Sequence, residues 1–303
     1  MKKKALIFGI SGQDGIILSD YLVKKKYNVF GCIRNKNKKN YFNKKIKLFF
    51  KIKLTEKFIL SIIKKTNPSE IYFLIGQSSS YISFKKPSET FETNFLYFSY
   101  IVNACIKKKI KPKIFYASSG EIFGSYEKKI SEKTKKNPQN PYALSKYISI
   151  IYSQYMSYYY NLNISTGILF NHDSEYRSNN NLSMKIINYL NRNNFRKKLK
   201  LGNLDVYRDF GLAKEYVVAM HKINQQKKRG DYIIATGRST KIRDLIKFAF
   251  KIKKLDYRKL IQIDKKKFVK SEIKFRSVNV SKINKLNWYP KYNIFDLMKS
   301  SIK

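Results

Sequence analysis

Short apolar runs alternate with amphipathic stretches along the first half of the chain. Lys4 to Phe8 and Asn28 to Ile33 have the length and composition of buried strands, and Ile16 to Lys26 repeats apolar residues at the spacing of a helix face. The same alternation predicts strands at residues 48–52, 71–75 and 113–117, and helices at 55–65, 89–108 and from Pro141. Strands that alternate with helices predict an α/β fold built on a parallel sheet.

A glycine-rich turn joins the first strand to the first helix. Gly9, Gly12 and Gly15 have the spacing G-x-x-G-x-x-G. Glycines let the backbone approach a pyrophosphate, and the following helix N-terminus supplies amide donors and a positive dipole end. The turn predicts a dinucleotide-binding unit in a Rossmann-like, doubly wound parallel sheet; an ordinary tight turn is the alternative. The cofactor-binding residues predicted here are Gly9, Ser11, Gly12, Gln13, Asp14 and Gly15.

Arg34 follows the second predicted strand. An enzyme that uses NAD usually carries an acidic residue at this place, which binds the ribose hydroxyls. An arginine fits a 2′-phosphate, so Arg34 favours NADP as the cofactor. A solvated surface arginine is the alternative in so basic a chain.

The composition allows a large core and raises a question about charge. The chain has 303 residues, 43% of them hydrophobic, which excludes a disordered tail protein. Its formal net charge is +44, and such a surface attracts nucleic acid, membranes or phosphorylated ligands. The lysines are scattered instead of clustered, so compositional drift is the preferred interpretation and no specific nucleic-acid partner is predicted.

The cysteines and the hydropathy pattern predict the compartment. Cys32 and Cys105 have no metal-binding or redox spacing, so they are expected to be reduced, buried thiols in a cytoplasmic protein. No apolar run approaches the length that spans a bilayer. Neither a metal site nor a membrane partner is predicted.

The residues with the most specific chemistry lie between 118 and 146. Ser119 ends a predicted strand at the sheet edge where a nicotinamide would lie, and Tyr142 and Lys146 are four residues apart on one helix face. A lysine ammonium close to a phenol favours the phenolate, so Tyr142 could take a hydroxyl proton as hydride leaves the same carbon. Ser119 would hold that oxygen. These three residues are predicted to be catalytic.

Glu121 adds a second base to the same strand end. An oxidation or reduction at one carbon does not need it. A carboxylate there could remove a proton made acidic by a neighbouring ketone, and so drive elimination of water. A helix-capping or solvated glutamate is the alternative.

Six blocks of the sequence together resemble the GDP-mannose 4,6-dehydratase family, extended short-chain dehydrogenases that use NADP. The blocks are residues 9–15, 118–124, 141–146, 167–172, 202–211 and 231–237. The resemblance implies oxidation of C4 of the mannosyl ring by Tyr142 with Lys146 and Ser119. Glu121 would then take the C5 proton as the C6 hydroxyl leaves, and hydride would return to C6 to give GDP-4-dehydro-6-deoxy-mannose. Dimers or tetramers are expected from the family.

The resemblance also assigns binding residues and two parts of the chain. Residues 1–170 with about 203–237 would bind NADP, and about 171–202 with 238–303 would form a smaller substrate-binding lobe. The positions matched to NADP contacts, besides Tyr142 and Lys146, are Leu74, Gln77, Ser78, His172 and Arg177. Those matched to the nucleotide sugar are Asn171, Lys185, Arg208 and Arg243. For His172, a buried histidine with satisfied ring nitrogens is the alternative.

The chain departs from the family at four places and leaves other functions open. Gly120 replaces a serine, Lys53 an aspartate near the adenine, and Ser79 a histidine, while Arg276-Ser-Val-Asn replaces Arg-Pro-x-Glu. With Gly120, the acid for water loss is not identified. The alternatives are a GDP-4-keto-6-deoxymannose reductase or another nucleotide-sugar epimerase or dehydratase, and a non-catalytic NADP- or nucleic-acid-binding protein.

Overall fold

The computed structural model describes residues 2–34, 42–125, 129–265 and 277–303, so the Arg276 departure lies outside the described residues. The strands of the described residues are β1 (Lys4–Phe8), β2 (Asn28–Ile33), β3 (Lys47–Phe50), β4 (Glu70–Phe73), β5 (Lys113–Ser119), β6 (Asn163–Leu169), β7 (Asn171–Asp173), β8 (Leu199–Leu201), β9 (Tyr207–Leu212), β10 (Asp231–Ile234), β11 (Ser239–Lys241) and β12 (Ile261–Ile263). The α-helices are α1 (Gln13–Lys24), α2 (Glu56–Thr66), α3 (Ser80–Lys85), α4 (Pro87–Phe91), α5 (Tyr97–Lys107), α6 (Pro141–Tyr160), α7 (Leu182–Asn191), α8 (Ala213–Gln225), α9 (Ile242–Ile252), α10 (Tyr257–Leu260), α11 (Ser281–Asn284) and α12 (Ile294–Ser301).

A seven-stranded parallel sheet forms the centre of the fold, in the order β10-β6-β5-β4-β1-β2-β3. The order reverses next to β1, as in doubly wound sheets. Successive residues of a strand point to opposite faces, so Ile7 packs with Tyr216 of α8 on one side and Leu6 with Phe98 of α5 on the other. The predicted Rossmann-like α/β fold is confirmed.

The helix predicted over residues 89–108 is divided by a wider turn. α4 is followed by a π-helical turn at Glu92–Leu96, and only then by α5. The Asn94 carbonyl in this turn accepts hydrogen bonds from the Tyr116 hydroxyl at 3.0 Å and the Ser149 hydroxyl at 3.3 Å. This helix carbonyl therefore has its hydrogen-bond partners on β5 and α6. Apolar periodicity alone cannot predict a wider turn that depends on such partners.

The second half of the chain builds a separate apolar core. α7, α9 and α12 pack around it, with buried Ile186, Leu245, Phe250 and Met298 among its members. Two small sheets lie with these helices, one of three strands in the order β11-β9-β7 and one that pairs β12 with β8. β7 begins two residues after β6 ends, so the chain passes directly from the large sheet into the smaller one.

Three further results concern the cysteines, the helix lengths and the metal-ligating side chains. Cys32 and Cys105 are unpaired and buried, as predicted, and burial raises the pKa of each thiol to about 12. Within the described ranges, no helix has the length and apolar character needed to cross a bilayer. The same ranges contain no cluster of three metal-ligating side chains.

Candidate active site

The glycine turn after β1 is shaped as an open cradle. Gly9 has a φ of +90°, and a Cβ there would lie 2.8 Å from the backbone of Leu74 and Ile75. A Cβ at Gly15 would collide with the carbonyl oxygen of Gly9. Glycine is required at both positions, and the N-terminus of α1 stays accessible beside the carboxyl ends of β1 and β4.

A cavity of about 440 Å³ opens beside this turn. It brings all four predicted catalytic residues together at one edge of the sheet, because β5 ends at Ser119 and α6 begins at Pro141. The predicted site residues that line it are Gly9, Gly12, Gln13, Asp14, Gly15, Leu74, Ser78, Ser119, Glu121, Tyr142, Lys146, Asn171, His172 and Arg177.

Tyr142 is buried against Ser119. Burial raises the pKa of Tyr142 to about 12, while a hydrogen bond with the Ser119 hydroxyl and the positive charge of Arg177 oppose that rise. The negative charge of Glu121 adds to it. Ser119, Glu121 and Arg177 are therefore close enough to the phenol to influence its proton.

Lys146 lies one helical turn beyond Tyr142 and is almost fully buried. Its Nζ donates a hydrogen bond to the Ala117 carbonyl at 2.8 Å and lies 5.0 Å from the centre of the Tyr116 ring. Burial lowers the pKa of Lys146 to about 7. In this geometry Arg177, and not Lys146, is the cation that lowers the Tyr142 pKa.

Glu121 lies in a short 3₁₀ turn, Gly120–Phe123, directly after β5. The capping residue of that turn is Ser119, whose hydroxyl accepts a hydrogen bond from the Glu121 amide at 3.2 Å. Glu121 itself lines the cavity. Gly120 is the position where the family has a serine. A Cβ there would lie 3.0 Å from the Phe170 ring, so this ring occupies the space where a side chain at residue 120 would begin.

An ion pair connects the glycine turn to β7. The Nε2 atom of His172 lies 3.0 Å from both carboxylate oxygens of Asp14, and its Nδ1 atom lies 2.8 Å from the Phe170 carbonyl. Burial favours the neutral forms, but the pairing outweighs it, so the pKa of Asp14 is lowered and that of His172 is raised. Both ring nitrogens face acceptors, which indicates a charged imidazolium. His172 thus has satisfied nitrogens and also lines the cavity.

A second cavity, of about 480 Å³, continues from the first over the glycine turn. The two share Gly9, Gly12, Leu74 and Gly76 in their walls. Ser11 and Arg34 line the second cavity alone. The pair of cavities forms an extended groove across the carboxyl edge of the sheet, the place where doubly wound sheets bind dinucleotides.

The residues matched to the nucleotide sugar are more dispersed. Asn171 lines the first cavity, and Lys185 lies one turn along α7 from Asn181, which also lines it. Arg208 and Arg243 do not line it. Arg243 forms a two-bond ion pair with Asp205, at 3.0 and 2.6 Å, which raises its pKa.

Comparison with known proteins decides the family. The sequence model of the GDP-mannose 4,6 dehydratase family matches residues 6–301. GDP-mannose 4,6 dehydratase 1 of Arabidopsis thaliana is 32% identical over 323 aligned residues, which cover 99% of this chain and 89% of that protein. The chain belongs to the GDP-mannose 4,6-dehydratase family. The resemblance predicted from the sequence blocks is confirmed.

Solved structures of other sugar-nucleotide enzymes have the same fold as this family member. DesIV of Streptomyces venezuelae, a dTDP-glucose 4,6-dehydratase solved with NAD, has a TM-score of 0.88 at 16% identity and covers 99% of this chain and 95% of its own. UDP-glucose 4-epimerase of Thermotoga maritima, solved with UDP-glucose, has a TM-score of 0.88 at 20% identity, covering 99% and 97%. At these identities the likeness establishes the fold.

Asn94 is a site residue that the sequence did not indicate. It lies in the π-helical turn, accepts from the Gln77 amide at 2.9 Å and donates to the Ser145 hydroxyl at 2.9 Å. Through these bonds it ties the loop after β4 to the helix turn that carries Lys146. Gln77 turns its own side chain toward the Ser79 carbonyl, at 2.9 Å, and does not line either cavity. The sequence signal that could have indicated Asn94 is a polar residue among the aromatic positions of a predicted helix, Phe91, Phe95 and Phe98.

Proposed function

We propose that this family member dehydrates GDP-mannose to GDP-4-dehydro-6-deoxy-mannose with NADP as its cofactor. The observation that carries the proposal is the single cavity in which Glu121 joins Ser119, Tyr142 and Lys146 beside the glycine turn. Oxidation of an alcohol requires the last three alone. The carboxylate supplies the base that elimination of water requires. Membership of the family supports the same reaction.

The residues along the groove fit a dinucleotide. The glycine turn leaves a cradle that side chains would fill, and Arg34 lies in the cavity beyond it. A nicotinamide bound there would supply reversible hydride transfer, from C4 of the sugar and then to C6. The residues of the groove proposed to hold the cofactor are Gly9, Ser11, Gly12, Gln13, Asp14, Gly15, Arg34, Leu74, Ser78, Tyr142, Lys146, His172 and Arg177. Gln77 is proposed from the family match alone, because it lines neither cavity.

The proton steps follow from side chains around the cavity. Tyr142 takes the C4 hydroxyl proton, and the Ser119 hydroxyl holds the same oxygen. A phenol with a pKa of about 12 needs positive charge nearby to act as a base, and Arg177 is the protein cation that supplies it. The Lys146 ammonium is held by its hydrogen bond to the Ala117 carbonyl. We propose that it positions the substrate and the cofactor where they meet in the cavity.

Glu121 carries the elimination. It removes the C5 proton once C4 is a ketone, because the carbonyl makes that proton acidic. Gly120 has no side chain to protonate the leaving C6 hydroxyl. We assign the protonation of the C6 hydroxyl to Glu121 as well. Its carboxyl group passes the proton taken from C5 to that hydroxyl, which leaves as water, and Glu121 becomes a carboxylate again.

The proposed division of the chain places the sugar nucleotide between the two cores. Residues 1–170 with about 203–237 hold the cofactor, and about 171–202 with 238–303 form the substrate-binding lobe. The separate apolar core around α7, α9 and α12 supports this division in part: residues 204–212 also pack in that core, whereas Ile283 and Trp288 pack in the core of the large sheet. Asn171, Lys185, Arg208 and Arg243 are proposed to contact the nucleotide sugar, with Arg243 exchanging Asp205 for a diphosphate oxygen.

We further propose a homo-oligomer formed through α6. Six apolar or aromatic side chains of this helix are exposed, and four of them lie at helical spacing: Leu144, Ile151, Tyr155 and Tyr158. A stripe of this kind on a protein surface marks an interaction site. The two buried, unpaired thiols support a reducing, cytoplasmic location.

Incubation of the purified protein with NADP and GDP-mannose, without added reductant, tests the function. The expected product is lighter by one water and shows the alkaline ultraviolet absorbance of a 4-keto sugar. A reductase does not accumulate that product, and an epimerase gives one of unchanged mass. Parallel incubations with other nucleotide sugars measure the preference for GDP-mannose. If no nucleotide sugar loses water, the proposal is contradicted.

A further inference from the structure

We infer that Lys51 is a second cation for the 2′-phosphate of NADP, acting beside Arg34; this inference rests on the proposed use of NADP. Arg34 directly follows β2 and Lys51 directly follows β3. The two strands are parallel neighbours with Ile33 opposite Phe50, and the Lys51 amide donates to the Ile33 carbonyl at 3.0 Å. Both side chains therefore leave adjacent backbones, about 5 Å apart, at the same edge of the sheet.

Lys51 and Arg34 line the same cavity. That cavity begins at the glycine turn, where Ser11 and Gly12 form part of its wall. A pyrophosphate at the N-terminus of α1 directs the adenosine ribose toward the end of β2. A 2′-phosphate on a ribose at the end of β2 would enter the cavity that both cations line.

The charges in this cavity leave the two cations available. Its acidic side chains are Glu89 and Glu92, and each already has a lysine partner, Lys86 at 2.9 Å and Lys53 at 2.7 Å. Within the described part of the chain, neither Arg34 nor Lys51 forms an ion pair. The Lys51 Nζ lies 5.8 Å from the centre of the Phe58 ring, a contact that a phosphate can replace.

Two cations of different geometry suit one phosphate. The planar guanidinium of Arg34 pairs with two oxygens, and the ammonium of Lys51 acts as a point charge on the third. A ribose with a free 2′-hydroxyl offers neither cation a charged partner. The pair therefore sets the preference for NADP over NAD, whereas Arg34 alone would give a smaller one.

Calorimetric binding titrations with NADP, NAD, 2′,5′-ADP and 5′-AMP test this role without any turnover. We expect Lys51→Gln to weaken binding of NADP and 2′,5′-ADP by about tenfold and to leave NAD and 5′-AMP unchanged. Arg34→Gln should act in the same direction. Lys57→Gln is the matched control, because it removes one exposed lysine on α2 that lines neither cavity.

The outcomes separate the inference from the proposal on which it rests. A wild-type protein that binds NADP no better than NAD overturns both. A wild-type preference for NADP that Lys51→Gln leaves intact overturns the role of Lys51 alone. Equal weakening of NADP and NAD by Lys51→Gln, or equal effects of Lys51→Gln and Lys57→Gln, also contradicts a specific contact with the 2′-phosphate.

Discussion

Glu121 is the residue that distinguishes a dehydratase from a simple oxidoreductase at this site. Its carboxylate lines the cavity, and its charge acts on Tyr142. We predict that Glu121→Gln lowers the rate of product formation by about 10²–10⁴-fold, because general bases contribute that much. Oxidation at C4 does not need the carboxylate, so reduced nicotinamide should accumulate in a single turnover, measured by its absorbance.

The control for that experiment is Glu175→Gln, which removes an exposed carboxylate that does not line the cavity containing Glu121. It should keep the wild-type rate. If Glu121→Gln also formed product at the wild-type rate, Glu121 would not be the C5 base.

Buried Lys146 should lower the free energy of unfolding of the protein. Its pKa is about 7 in the folded protein against an ordinary 10.5, so between these values the unfolded chain binds a proton that the folded protein does not. Wild-type stability therefore rises with pH across this window, and the cost of burying the charge is complete below about pH 7. We predict that Lys146→Met raises the free energy of unfolding by about 1–3 kcal/mol near pH 6, while it abolishes activity.

Urea unfolding at about pH 6 and about pH 9 measures this difference, which should shrink as pH rises. Lys113→Met is the control, since Lys113 is half-buried and also donates to a carbonyl, that of Gln225 at 2.8 Å. Equal effects of the two variants, or a loss of stability in Lys146→Met at low pH, would refute a desolvation cost at Lys146.

The convergence of Ser119, Tyr142 and Lys146 in one cavity could be predicted because the order of these residues follows the order of the elements. A hydroxyl at a strand end and a Tyr/Lys pair on the next helix must meet at the carboxyl edge of a parallel sheet. The cation beside Tyr142 could not be predicted in the same way. The charge of Arg177 acts on the phenol from the loop after β7, and the Asn94 amide donates to the Ser145 hydroxyl from a different helix. Both interactions depend on tertiary packing that leaves no periodic signal in the sequence.

Among the elements, α6 presents two faces of different character. Tyr142 and Lys146 face the cavity, whereas Ile151 and Tyr155 are exposed, the latter by 59%. We predict that the protein sediments as a dimer or a larger oligomer. The double variant Ile151→Lys/Tyr155→Lys should weaken association by at least about tenfold, since it places charges on an apolar interface.

Sedimentation velocity over a concentration series measures this effect. Tyr289→Lys is the control, because Tyr289 is 63% exposed but lies outside α6. A monomeric wild-type protein would contradict the proposed oligomer, and an unchanged oligomer in the double variant would contradict the role of α6.

The elements of the large sheet were the easiest to predict, and those of the proposed substrate-binding lobe were the hardest. β1, β2 and α1 have long apolar patterns that follow directly from burial on both faces of a parallel sheet. β8, β11 and β12 have three residues each, which is too short for a period of two to stand out. The architecture of the lobe therefore could not be predicted from the sequence, and its limits stay a prediction.

At the scale of the whole molecule, the proposed function gives the glycine turn, the cavity that contains Glu121 and the second core one common role. In that proposal the sheet edge holds the nicotinamide cofactor, and the sugar nucleotide reaches it from the lobe built after β6. The net charge of +44 favours anionic ligands in general, so binding alone is a poor test of function. A test of the reaction must follow atoms of the sugar.

GDP-mannose with deuterium at C4 provides that test, with the product analysed by mass spectrometry and NMR. If the account is correct, the product is lighter by one water and carries the deuterium at C6, because the hydride removed from C4 returns to the neighbouring methyl carbon. Deuterium that stays at C4, or a product that retains the full oxygen count of GDP-mannose, would contradict it.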